Sequence, residues 1–345
     1  MNVVTAQHQH LGFFDKLLTN ACWIGAAVLF LTVGWIAMAP DDPQGAVSTL
    51  ARSGGPMMVL QAAMLAAVVA ALATAVAGRR LVEIGTFAAA IGLAAVSLKG
   101  ETAAYLLVRG ADAASMSGSN SAAGLTANLV LESLGWFLVV LVAIVVSAFV
   151  MRVCYRDTGG RESGAGEGPL GIETGLAGYE LPAIGRILAG ATSPPSTETR
   201  RYPLDGVKHT AITLGAALAL ITFLSIGLNN RAIAHGQTCF VVGAAIWLAG
   251  FFGHRFAPVR TALWPILAVG LLPIVAYLSA AISTSPFDFP PSIPKSHFLR
   301  ILPIQYLGVG TAAAIAGMWS FGRYVAGPED HGPSGKKSRA KRELG

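Results

Sequence analysis

Two adjacent carboxylates, Asp41 and Asp42 in the stretch "APDDPQG", are the nearest approach in this sequence to a catalytic pair. Neighbouring acids can share general-base and metal-binding work, as an outward-facing enzyme on a lipid-linked substrate would require. Proline-flanked acids are also ordinary turn formers, and that reading takes precedence. Lys99 and Glu101 interrupt an apolar run in "SLKGETAAYLLV", and Glu132 interrupts another in "LVLESLGWF". At a common height the three would make an ion pair on the outer rim of a membrane protein. Gln305 and Tyr306 are adjacent uncharged polar residues in an apolar segment, and they are the expected contacts for a solute.

Other chemistry lacks its residues. The three cysteines, Cys22, Cys154 and Cys239, form no metal or redox spacing. Haem in a helical bundle needs histidines facing each other across the core. Here His209 and His254 fall at the inner ends of apolar runs, His235 and His297 at the outer ends, and His8 and His10 ahead of the first run. No metal set or cofactor is expected, and no phosphate loop, nucleophile elbow or dinucleotide fingerprint is present.

The elements that must carry these residues follow from composition. The chain has 345 residues, 54% hydrophobic and 12% charged, about half the charged fraction of a soluble domain. A membrane-crossing helix needs about 20 mostly apolar residues. Eight segments qualify: 21–39, 57–78, 82–98, 133–151, 210–228, 237–253, 261–282 and 302–322. The fold class is therefore all-α: a polytopic membrane bundle of about eight helices. The first segment ends in Ala37-Met38-Ala39, which mimics a cleavage site, but its length and Pro40 favour an uncleaved span. Pro265 and Pro273 predict a bent or opened seventh helix.

Charge sets the orientation. With both termini cytoplasmic, only Arg52, Lys99, Arg109, Arg231, Lys295 and Arg300 of the 24 basic residues lie outside. That asymmetry is the one expected of a plasma-type inner membrane. Counting along each span leaves no Asp, Glu, Lys, Arg or His in its central half, which argues against a proton-driven pump. The +6 net charge is concentrated at span ends and in "KKSRAKR" (336–342), so anionic lipid is the expected partner of the tail and nucleic acid is not.

The chain divides into a leader (1–20), a first four-helix half (21–154), a flexible cytoplasmic loop (155–209), a second half (210–322) and a basic tail (323–345). Gly25-Ala26-Ala27 with Thr32 recurs as Gly215-Ala216-Ala217 with Thr222; a parallel repeat would leave such a trace, but alanine-rich helices also match by chance, and that reading takes precedence. Glycine and alanine at four-residue spacing, as in Gly310–Ala314 and Gly85–Ala89, serve close helix packing. They fit either the chain's own bundle or contact with another subunit or a second copy. Three functions remain open: a permease for a small neutral or weakly polar solute, a non-catalytic subunit or assembly factor of a membrane complex, and the outward-facing enzyme using Asp41 or Asp42.

Overall fold

The computed structural model describes residues 13–42, 45–78, 81, 83–101, 103, 106, 122–154, 197–225, 235–259, 261–283 and 297–326. Among these the chain is helical apart from short connections and one isolated β-bridge between Ala46 and Glu101. Most of the leader and all of residues 155–196 and 327–345 lie outside the described residues.

The helices are α1 (Phe13–Leu29), α2 (Trp35–Met38), α3 (Gly55–Ala77), α4 (Ile84–Ser97), α5 (Ala122–Cys154), α6 (Thr197–Ser225), α7 (His235–Phe256), α8 (Leu263–Ser283) and α9 (Pro303–Ala326). A π-helical turn, Phe30–Gly34, joins α1 to α2 without a break. Such a turn loosens the carbonyl ladder, and here side chains take up the slack. Thr32 Oγ1 donates to Val28 O at 2.8 Å and Lys99 Nζ to Leu31 O at 3.2 Å. Six helices are long and apolar enough to cross a membrane, and α4 is a shorter apolar helix. The chain is a multi-pass membrane protein.

Boundaries depart from expectation in three places, the first being α5, which begins at Ala122, well ahead of 133. The first helix is continuous from Phe13, inside the expected leader, and α6 is helical from Thr197, inside the expected flexible loop. Pro265 falls in the first turn of α8, where it displaces no hydrogen bond, so Pro273 alone is interior, and α8 runs through it to Ser283.

Helix pairing has a regular plan. In the first half α1 packs on α3 and α4, α3 on α4 and α5, and α4 on α5. In the second half α6 packs on α7 and α8, α7 on α8 and α9, and α8 on α9. Exchanging α1, α3, α4 and α5 for α6, α7, α8 and α9 turns one set into the other. The contacts between halves obey the same exchange: α4 on α9 swaps with α8 on α5, and α5 on α9 maps onto itself. The repeated tetrapeptide trace does not share this register. Ala26 is buried and its counterpart Ala216 is not, whereas the buried alanine of α6 is Ala217.

The small residues serve this bundle internally. A Cβ on Gly308 would come within 2.7 Å of Ala94 N in α4, and one on Gly317 within 2.5 Å of Trp247 O in α7. A Cβ on Gly310 would stand 2.6 Å from Ile246 Cδ1. α9 thus presents glycine on two faces and touches both halves.

Candidate functional site

The junction of the halves, formed by α4, α5, α8 and α9, carries a buried polar cluster near the N-terminal end of α9. At its centre is Glu132 on α5, which is 4% exposed. One turn on, Trp136 is fully buried and donates its indole N–H to Glu132 Oε1 at 2.9 Å. The i,i+4 spacing puts both side chains on one helix face. The other two donors come from the connection between α2 and α3. Thr49 N–H reaches Oε1 at 3.1 Å, and the Ser48 hydroxyl donates to Oε2 at 2.5 Å. Three donors and no acceptor therefore face the carboxyl, the complement of a group that accepts through two oxygens.

That connection is drawn into the protein rather than left in solvent. Ala46, Val47 and Ser48 are fully buried. Glu101 N–H donates to Gly45 O at 3.0 Å, and a Cβ on Gly100 would stand 2.9 Å from both Gly45 O and Val47 Cγ2. The Arg52 guanidinium ties the far end to Ala37 O. Asp41 Oδ2 accepts from Ser53 N–H at 2.7 Å. The Ser53 backbone N–H and then the Ser53 side chain hold the Asp41 carboxyl below its usual value; desolvation opposes them, and the charge of Arg52 adds the smallest lowering.

Across the junction, Tyr277 on α8 is fully buried and donates its hydroxyl to Ile301 O at 2.6 Å. Its ring meets that of Tyr306 edge-on, with centroids 5.8 Å apart. Tyr306 is fully buried, with its hydroxyl 3.5 Å from Phe298 O. Gln305, 1% exposed, turns Oε1 back to Leu302 N–H at 3.0 Å. Leu302 precedes the first helical residue and Gln305 is the third, so this is the glutamine half of a capping box. Arg300, in the 3₁₀ turn before α9, is half-buried, and desolvation lowers its pKa from the ordinary value.

Lys99 stacks its ammonium 4.7 Å from the Trp35 ring centroid and bonds Leu31 O, while Glu101 is exposed. Glu132 has no basic partner among the described residues, because burial by the α2–α3 connection separates it from the rim. Asp41 and Asp42 lie on that connection, with the Asp41 carboxylate engaged as a loop staple. Gln305 and Tyr306 belong to the buried cluster, with the Gln305 oxygen serving as the helix cap. No three-member His/Cys/Asp/Glu metal cluster is found among the described residues.

Trp136 and Tyr277 were legible in principle, as the partner one turn from an interrupting acid and a tyrosine in an apolar run. Ser48 and Thr49 gave no signal. No protein family, curated protein or solved structure matches the chain.

Proposed function

We propose that this protein is a permease for a small neutral or weakly polar solute, with its path along the junction of the two four-helix halves and its outer closure at the Glu132 cluster. The observation that carries the reading is the invariance of the helix pairing when the halves are exchanged. Parallel repeats about an axis along the membrane normal are a common transporter architecture, with the solute bound at the repeat interface. An acid buried in that interface, satisfied by a connection from outside the bundle, supports a closure that opens when the connection withdraws. Eight spans, both termini cytoplasmic in a plasma-type inner membrane and a basic tail held to anionic lipid complete the proposal.

Proteoliposomes containing the purified chain, shocked with uncharged solutes graded in size, test it by light scattering. Flux of at least one solute, altered by Gln305→Ala or Tyr306→Phe, is the expected result. Flux indifferent to both substitutions removes those residues from the path, and no flux for any solute ends the permease reading. Cysteine labelling from outside the cell at the tail would refute the orientation.

A second reading, a non-catalytic subunit of a larger membrane complex, draws support from the tight packing. The narrow crevice between α6, α7 and α8, lined by Thr213, Ala217, Ile246, Ala268, Val269 and Leu272, does not admit a water molecule. Stable co-purifying membrane proteins after gentle extraction would favour this reading. A lone monomer would count against it.

A further inference from the structure

At the opposite end of the second half, three buried polar atoms converge without partners. His209 on α6 is fully buried, and its Nδ1–H donates to Ala257 O at 2.8 Å. That bond sets the neutral tautomer and leaves a lone pair on Nε2, which has no hydrogen-bond partner. One turn on, Thr213 is 1% exposed and its hydroxyl is also unpartnered. On α7, His254 Nδ1 is buried and unpartnered.

Gly253, having no side chain, lets Thr213 and His209 close on α7. A Cβ there would collide with Thr213 Oγ1 and would stand 3.2 Å from Cε1 and 3.4 Å from Nε2 of His209. The ring centroids of His209 and His254 are 5.9 Å apart. A ring nitrogen sits about 1.1 Å from its centroid and about 2.0 Å from a bound metal. Two imidazoles on one ion therefore hold their centroids at most about 6.2 Å apart, and about 5.1 Å apart at a tetrahedral angle.

We infer that His209 Nε2 and His254 Nδ1, with Thr213 Oγ1 as a weaker third donor, form a binding site for a single copper(I) ion. The Nδ1–H bond of His209 to a carbonyl is the outer support that metal-bound histidines ordinarily have. Imidazole without carboxylate or thiolate suits copper, zinc or nickel. The centroid separation lies nearer the open limit than the tetrahedral one, which favours the low-coordinate monovalent ion over zinc. A single positive charge is also easier to bury than two where the donors are neutral. The site stands apart from the Glu132 cluster and does not depend on the permease reading.

The test uses the full chain, purified in detergent, stripped with a chelator and titrated with copper(I) against a colorimetric copper(I) chelator. Zinc(II) is titrated in parallel. One copper per chain is expected, with affinity lowered at least tenfold by His209→Ala and by His254→Gln, and unchanged by His235→Ala. Copper should raise the Tm of the wild type and leave that of His254→Gln unmoved, which separates lost binding from lost folding. X-ray absorption should show two nitrogen neighbours. No copper binding, binding indifferent to both substitutions, or a preference for zinc at these histidines would each overturn the assignment.

Discussion

Replacing Glu132 by alanine and by glutamine should give sharply different stabilities. Two of the three donors, Thr49 N–H and Trp136 Nε1–H, converge on the same oxygen, Oε1, while the Ser48 hydroxyl alone uses Oε2. Glutamine can keep its carbonyl at the Oε1 position, where two lone pairs accept both N–H groups. Its amide then donates to a Ser48 hydroxyl that has rotated. All three partners stay satisfied, and Glu132→Gln should lie within about 1 kcal/mol of the wild type. Alanine strands them. An unsatisfied buried donor costs about 1–3 kcal/mol. The full figure applies to Trp136 and Ser48, which are sealed, whereas Thr49 is partly exposed. A loss of roughly 3–5 kcal/mol is expected for Glu132→Ala, including the cavity it leaves. Reversible unfolding in mixed micelles titrated with dodecyl sulfate, followed by tryptophan fluorescence, measures both. An alanine variant within 1 kcal/mol of the wild type would refute the reasoning. So would a glutamine variant as damaged as the alanine one, since the network would then depend on charge and not on matched donors.

Three further outcomes are expected. Gly317→Val should lower the Tm, because its Cβ would press on the Trp247 carbonyl, and overpacking of this kind costs about 1–3 kcal/mol; Gly215→Ala, with nothing within 4 Å, should be neutral or slightly stabilising in the same thermal assay. Tyr277→Phe removes only the bond to Ile301 O and should cost about 1 kcal/mol in the micelle titration, with no change in fold by circular dichroism. Asp41, held low by Ser53, contributes to loop anchoring fully above the unfolded carboxylate pKa of about 3.9 and loses that contribution as pH falls through its lower folded value; the Tm gap between wild type and Asp41→Asn should therefore be present at pH 6 and close in acid.

The candidate site was only partly legible. Glu132 stood out because an acid in "LVLESLGWF" breaks an apolar run, and its position near one end of a span could be counted from Arg152. Its partners could not be counted. Ser48 and Thr49 reach it because the α2–α3 connection folds inward, and turn composition does not encode that. His209 and His254 were read as separate residues at the inner ends of two runs. Only the packing of α6 on α7 brings their rings to 5.9 Å, around a glycine whose role is to have no side chain.

What the amino-acid order determined alone was that the chain is built of several apolar helices, because a segment that must satisfy its backbone in lipid has to be long, helical and uncharged; of the eight spans expected, six long apolar helices and one shorter stand among the described residues. Which helices are neighbours was decided by the tertiary structure. A helix that is apolar all round shows no face in its periodicity, and its partner is chosen by whether distant small side chains let two backbones approach. The matching adjacency of the halves, α9 between them with glycine on two faces, and the enclosure of Glu132 all arise from that fit of shapes across the bundle.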